Sequence, residues 1–312
     1  MILLATNRKD VTTDFVVLEL ERRGMKFFRL NTEDIHTYRT VLPNGDPTKL
    51  RLKGKNRTLV LSEVKGAYYR RPMPPEFDNR DPATANYLNA EWSAILRSIW
   101  NVLYGRWLNC PFAILRAEDK PRQLMFARRV GFKVPETIVT NDPDHAISFC
   151  KRGGVVAKPL RQALIDDGKR GKVIFTSRIG PRIEYDATTI ELAPVIFQRE
   201  LRKQSDIRVI VVDDHVFATA IDSQEHEETS VDWRKGIRTD LTHRSITLPH
   251  AIESACVAIT KALDLRYSAI DLIEDSNGEH WFLEANPNGQ WAWIEQRTSA
   301  PISAAIVDGL SS

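Results

Sequence analysis

Two carboxylates and an amide interrupt the apolar run AIDLIEDSNGEHWFLEANPN: Asp271, Glu284 and Asn286. The run reads as two strands around the turn Asp275-Ser276-Asn277-Gly278, a sequence suited to a tight hairpin. Pairing Asp275 with Gly278 sets Asp271 opposite Phe282. Because strand side chains alternate between faces, Asp271, Glu284 and Asn286 then share one face, with Glu284 diagonally across from Asp271. Ile270, Leu272, Trp281, Leu283 and Ala285 take the other. An all-oxygen donor set of this kind suits Mg²⁺ that stays bound to phosphates and water. A hairpin with ordinary solvated acids is the plain alternative. It is the weaker reading, because both acids break apolar strands and two like charges in a half-buried site repel unless a cation lies between them.

Basic residues complement these acids. Lys120 precedes the helical stretch Pro121 to Val130, and Lys158 ends the apolar strand Val155-Val156-Ala157. Lysine ammonium groups are compact charges suited to phosphate, although a lysine taken alone is usually a solvated surface residue. The segment Asp166-Asp167-Gly168-Lys169-Arg170-Gly171-Lys172 has the composition of a loop that closes over a polyphosphate through backbone amides. Asp206 and Arg208 share one strand face, with the isoleucine-valine set on the other. Arg234, in Val231-Asp232-Trp233-Arg234, adds a further cation. Arg208 and Arg234 are suited to neutralising a migrating phosphoryl group and steadying an acyl phosphate. A structural ion pair is the alternative for each.

The elements that must position these residues follow from periodicity. Residues 1–6 form an apolar strand, residues 10–23 a helix with Asp10 or Thr13 as N-cap, and Lys26 to Leu30 a second strand, which together open the chain as a βαβ unit. The loop Ala5-Thr6-Asn7-Arg8 lacks the Gly-rich fingerprint of a dinucleotide site. Gly66 to Arg71 is a further strand, PMPPEFDNRDP an extended linker, and Tyr87 to Leu103 a helix with Trp92, Ile95, Leu96, Ile99 and Leu103 on one side. Texture changes near residue 115. A helix to Val130 closed by Gly131, a strand at Ile138 to Thr140, a helix around Pro143 to Lys151, and strands at Val155 to Lys158 and Val173 to Ser177 compose a small α+β unit able to move as a lid. Strands at Val195 to Leu201, Ile207 to Val212 and Val216 to Ile221 precede a helix bearing Ile252, Cys256, Ile259 and Leu263. The carboxylate hairpin and a terminal helix from Ser299 complete the chain.

A length of 312 residues with 42% hydrophobic content supports several packed layers, and a net charge of +3 is too balanced for a dedicated nucleic-acid domain. No run approaches the roughly 18 apolar residues of a membrane span, and the N-terminal apolar run is too short for a signal peptide, so cytoplasmic residence is expected. Cys110, Cys150 and Cys256 have no paired spacing and suggest neither a disulfide framework nor a zinc site.

The ordered set Lys120, Lys158, Gln198-Arg199-Glu200-Leu201, Asp206-x-Arg208, Arg234, Asp271 and Glu284-x-Asn286 resembles the ATP-grasp superfamily, including ribosomal-protein glutamate ligases and glutathione synthetases. The resemblance implies an α/β and α+β architecture: an N-terminal βαβ pre-ATP-grasp domain (1–114), a central lid domain (115–194) and a C-terminal antiparallel-sheet lobe carrying the metal site (195–312). It also implies roles. Lys120 and Lys158 would contact ATP phosphates or base, the backbone at Arg199 to Leu201 would hold adenine beside Gln198, and Asp206 would face the ribose. Arg208 and Arg234 would meet phosphates or the acyl group. Asp271, Glu284 and Asn286 would bind Mg²⁺, with two ions expected.

Asn286-Pro-Asn-Gly-Gln-Trp, with Tyr69-Arg70-Arg71-Pro72, Asp232-Trp233-Arg234 and Arg29-Leu30-Asn31, is similar to the microviridin-type, or graspetide, peptide macrocyclases. That similarity implies a ribosomally made precursor peptide with a leader segment as partner, whose Asp or Glu side chains are joined to Ser, Thr or Lys. Tyr69, Arg70 and Arg71 would then either receive the precursor or act structurally. A homodimer stands as an open alternative to a monomer, and neither nucleic acid nor membrane is an expected partner. The competing readings are a ligase that adds a free amino acid to a peptide or protein, and a nucleotide-binding regulator without turnover. The complete metal set argues against the regulator.

Overall fold

Ile2–Thr6 (β1) is buried along its whole length, as the run ILLAT requires of a strand covered on both faces. The computed structural model describes all residues except 78–79, 162–163, 166–171, 181–182, 184–186, 227–228 and 234–240. After β1, helix α1 (Val11–Arg22) leads into β2 (Phe27–Asn31), which pairs in parallel with β1, so the βαβ opening is present. Three short strands, β3 (Arg39–Val41), β4 (Arg51–Lys53) and β5 (Thr58–Val60), form a separate antiparallel sheet. Strand β6 (Gly66–Tyr69) then joins the free side of β1, again in parallel. Gly66 is required there, since a Cβ would lie 1.9 Å from the Leu310 carbonyl oxygen. Helix α2 (Pro82–Val102), capped by Asp81, packs Trp92, Ile95, Leu96 and Ile99 into the core of this domain, with Leu103 just beyond its end.

Helix α3 (Pro111–Ala117) leads to α4 (Lys120–Arg129), whose N-cap Asp119 accepts from the Arg122 amide. The central sheet contains β7 (Thr137–Thr140), β8 (Val155–Lys158), β11 (Ser177–Arg178) and β12 (Val195–Arg199), in the order β11-β8-β12-β7. Helices α5 (Pro143–Cys150) and α6 (Ala187–Ile190) close its core around Phe149 and Phe197. The strand expected at 173–177 is instead two short ones, since β9 (Leu164–Ile165) pairs with β10 (Lys172–Val173) and residues 174–176 lie between β10 and β11. Packing also differs from the expected limits at 115 and 194. Leu124 and Ala127 of α4 join the C-terminal core, whereas β12 is hydrogen bonded into the central sheet and extends it to Arg199.

The C-terminal sheet is antiparallel, ordered β15-β14-β13-β16-β17: β13 (Lys203–Val212), β14 (His215–Ile221), β15 (His243–Ile246), β16 (Tyr267–Asp275) and β17 (His280–Asn286). One face is apolar throughout: Ile207, Val209, Ile270, Leu272 and Phe282 pack under α4 and α7 (His250–Ala262), through Cys256, Ile259 and Leu263. The other face changes character along the strands. Ile210, Val212, Tyr267 and Ala269 are covered by α8 (Ala292–Thr298), α9 (Ile302–Ser311) and the N-terminal domain. Asp206, Arg208 and Asp271 occupy the same face where that cover stops. The isoleucine-valine set is therefore split between faces rather than confined to one. Helix α8 precedes Ser299, which adopts a left-handed φ of 57° and ends it, so the terminal helix starts at Ile302. Among the described residues, no helix is long and apolar enough to cross a membrane.

Candidate active site

The carboxylate hairpin turns differently from the simplest pairing. The Asp275 amide donates to Glu279 O, and Gly278 takes a φ of 77°, so the loop is one residue longer and Asp271 does not oppose Phe282. Leu272 pairs with Phe282 and Asp271 pairs with Glu284, which leaves Leu283 as an extra residue in a β-bulge. The bulge turns Leu283 and Glu284 onto the face of Asp271, and all three line one pocket. Phe282, not Trp281 or Leu283, therefore fills the apolar side. The outer edge of β17 holds this shape through non-strand partners. Gln123, 3% exposed, accepts from the Ala285 amide at 2.9 Å and donates to its carbonyl at 2.7 Å, and the Phe282 amide donates to Lys133 O.

Each acid meets a cation. Arg208 lies directly across the ladder from Asp271, and its Nη1 donates at 2.7 Å in a pair whose side chains are 8% and 11% exposed. Arg208 Nε is buried with no hydrogen-bond partner among the described residues, an unsatisfied donor beside the Asp271 pair. Lys120 Nζ sits 3.3 Å from Glu284 and donates to Pro159 O at 3.1 Å, bridging the two lobes. Asp206 accepts from Lys203 Nζ at 2.6 Å and from Ser223 Oγ at 2.5 Å. Burial pushes its carboxyl pKa up, and the Lys203 charge opposes that shift.

The central sheet supplies the opposite wall. Lys158 Nζ donates to Gln198 Oε1 at 2.7 Å, and Gln198 Nε2 donates to Thr137 Oγ1 at 2.9 Å, a relay across β8, β12 and β7. Arg199 turns its guanidinium away from the pocket, donating to Glu136, Gly153 O and Phe149 O with the Phe149 ring 4.1 Å from its centre. Glu200 is paired with Arg178. The amides of Arg199 and Glu200 are held by Glu136 O and Gly154 O, and the Leu201 backbone follows them along the pocket wall.

The loop after Asn286 is clamped from two domains. Arg70, 1% exposed, donates through Nη1 to Asn288 O and Gly289 O and through Nε to Asp10. Asn109 Nδ2 donates to Tyr267 O and Pro287 O, and the Tyr267 hydroxyl donates to Gly289 O. A Cβ on Gly289 would lie 2.2 Å from Ala269 Cβ and 3.1 Å from Arg208 Nη2, so only glycine lets the loop come this close to the Arg208–Asp271 pair. Asn286 Oδ1 accepts from the Asn288 amide and shapes the turn. Tyr69 is edge-on to Trp100 and Trp107.

Lys120, Lys158, Gln198, Arg199, Glu200, Leu201, Asp206, Asp271 and Glu284 thus line one pocket, with Arg208 paired to Asp271 at its edge. Arg234 and residues 166–171 of the expected phosphate loop lie outside the described residues. Lys203, Ser223 and Gln123 escaped the sequence reading, since a strand lysine, a serine and a helix glutamine carry no motif. The two adjacent carboxylates, Asp271 and Glu284, fit a hard cation with phosphate, whereas Asn286, expected beside them, is not among the pocket-lining residues and its Oδ1 accepts from the Asn288 amide.

Residues 117–310, more than half of the chain, match the family described as RimK-like ATP-grasp domain. A ribosomal protein bS6–L-glutamate ligase of Salmonella paratyphi B is 24% identical over 77% of this chain and 78% of its own. A probable alpha-L-glutamate ligase of Stenotrophomonas maltophilia is 25% identical over 69% and 72%. Among solved structures, a RiPP-associated ATP-grasp ligase of Chryseobacterium gregarium, in complex with ADP and a leader and core peptide, superposes with a TM-score of 0.88 at 28% identity, covering 99% of this chain and 96% of that one. Macrocyclase MdnC of Microcystis aeruginosa, bound with precursor peptide MdnA, gives 0.86 at 26%, covering 99% and 98%.

Proposed function

This chain belongs to the RimK-like ATP-grasp family and is an ATP-dependent ligase, and we propose that it closes ester or amide rings in a ribosomally made precursor peptide. The carrying observation is that the likeness to the peptide-bound ligases extends over 99% of the chain, N-terminal domain included. A carboxylate is a poor electrophile, so it must first gain a leaving group. An Asp or Glu side-chain oxygen of the peptide attacks the γ-phosphorus of ATP, the bond to the bridging oxygen breaks, and ADP leaves. A Ser or Thr hydroxyl, or a Lys amine, then attacks the acyl carbon and gives up its proton to the departing phosphate. The carbon–oxygen bond to phosphate breaks, and inorganic phosphate departs.

Mg²⁺, read here as two ions held by Asp271, Glu284 and Asn286, would neutralise and align the phosphate oxygens. Lys120 and Lys158 hold the polyphosphate, with Gln198 fixing Lys158, and the Leu201 backbone meets the base. Arg208 stabilises charge that develops on the transferring group, and Arg234 is assigned the same role from its motif. When nucleophile and acyl phosphate share one bound chain, effective concentration lets a weak hydroxyl compete with water.

The glutamate ligases sharing 24–25% identity favour a second reading, addition of a free amino acid to a peptide or protein. Mass spectrometry of a candidate precursor peptide, rich in Thr, Ser or Lys together with Glu and Asp, incubated with enzyme, ATP and Mg²⁺, separates the two. Successive losses of one water are expected, whereas a gain of one amino-acid residue would transfer the assignment to the second reading.

A further inference from the structure

Trp233 lines the nucleotide pocket, Trp293 lines a second cleft, and their rings meet at a tilt of 48° with centroids 5.5 Å apart. This second cleft, about 510 Å³, opens between the start of α1, the segment after β6 and the residues around Gln290. Its volume falls in the range of about 300–1,000 Å³ that encloses molecules larger than a single amino acid. Gln290 joins it to the reacting end of the nucleotide pocket, since the Gln290 carbonyl accepts from Arg208 Nη2 at 3.4 Å.

The charge of the cleft is one-sided. Its charged lining residues are Lys9, Asp10 and Arg71. The Asp10 carboxylate is engaged by Thr6, Thr13 and Arg70. No described residue accepts a hydrogen bond from, or forms an ion pair with, the Arg71 side chain, in contrast to Arg70 beside it. Arg71 holds a left-handed φ of 45°, rare for a residue with a side chain, and its carbonyl accepts from Asn7 Nδ2 at 2.6 Å. Arg29 Nη2 in turn donates to Asn7 O, so the conformation is braced from β2. Met73, 51% exposed, and Trp293 give the cleft apolar surface beside this cation.

We infer that the cleft receives an acidic segment of the peptide substrate, with Arg71 meeting a carboxylate and Met73 and Trp293 taking its apolar neighbour. The assignment rests on the macrocyclase reading and adds the element that presents the peptide to the acyl-phosphate site. The paired arginines therefore divide: Arg70 positions the Asn286–Gly289 loop and Arg71 binds.

Fluorescence anisotropy of a fluorescein-labelled tetraglutamate peptide, with the full chain, ADP and Mg²⁺, tests it. Saturable binding is expected, weakened about tenfold or more in Arg71→Gln, the scale of one lost hydrogen bond to a charged group. Met73→Glu, a change at an exposed position, is expected to weaken binding similarly through like charge. Thermal melting and retained binding of a fluorescent ATP analogue show that each variant is folded. Absence of binding by the natural chain, undiminished binding by both folded variants, or displacement by free L-glutamate at the peptide's own concentrations would each overturn the inference. Anisotropy reads binding without turnover. A bound peptide that is never dehydrated would sink macrocyclisation while supporting the cleft.

Discussion

The C-terminal and central sheets face the same pocket but supply it in different ways. In the C-terminal sheet the charged groups rise from the interior of long strands: Arg208 on β13 and Asp271 on β16 are flanked by apolar residues, and they and Asp206 have hydrogen-bonded strands on both sides. A charge buried there must be compensated within the ladder, and register alone places Arg208 against Asp271. In the central sheet the corresponding groups lie at strand ends. Lys158 closes β8, and Glu200 and Leu201 follow β12. Under the proposed mechanism, the first arrangement fixes the reacting groups to a rigid frame, whereas the second leaves phosphate and base contacts to a smaller lobe with its own core.

The largest effect expected from this contrast is in the hairpin. Glu284→Gln should lower ATP turnover by about 10²–10³ or more, the scale for losing one group that organises transferring charge. Its fold should survive, because Glu284 and Lys120 keep about a fifth of their side-chain surface exposed. ADP release and circular dichroism on one sample decide this, and near-normal turnover by a folded variant would remove Glu284 from the metal face. Asp271→Asn is a poorer probe. It would leave Arg208 buried without its partner, a loss of about 3–5 kcal/mol in stability.

A central-sheet change should act on affinity instead. Lys158→Met removes the ammonium held by Gln198, and KM for ATP should rise about tenfold or more with a smaller fall in kcat. A fall in kcat at unchanged KM would erase the division of labour between the sheets. Gly289→Ala should cost about 1–3 kcal/mol through overpacking against Ala269, read as a lower Tm; an unchanged Tm would show that the loop does not need its close approach.

The smallest effect lies away from both sheets. Hydrogen bonds from Arg22, then Arg23, hold the Glu19 carboxyl down at about 2, and Arg23 also pairs with Asp308 of α9. A depressed carboxylate stabilises the fold above its unfolded pKa, and that contribution fades as pH falls from about 4.3 toward 2. Glu19→Gln should therefore lower Tm slightly at pH 7, with the difference vanishing near pH 2. A difference that persists in acid would point to packing rather than charge.

The same contrast explains what the sequence discloses. The strand Val155–Lys158, the opening βαβ unit and the identity of the hairpin acids are legible because apolar periodicity marks them locally. The bulge at Leu283 is not, since it depends on Gln123 and Lys133 satisfying the outer edge of β17 from far along the chain. Helix α8 is short and follows an aromatic Gln-Trp run that gives no cap signal. The partners of Asp206 come from a strand lysine and a loop serine that only the folded sheet brings together.

The central claim is that the face made by Asp271 and Glu284 activates a substrate carboxylate by direct phosphorylation. Oxygen-18 placed in the side-chain carboxylates of the precursor peptide tests this most directly, with the released inorganic phosphate analysed by mass spectrometry. One labelled oxygen in the phosphate for every bond closed is the predicted result, because the acyl carbon keeps one carboxylate oxygen and surrenders the other. Unlabelled phosphate alongside product would contradict the account.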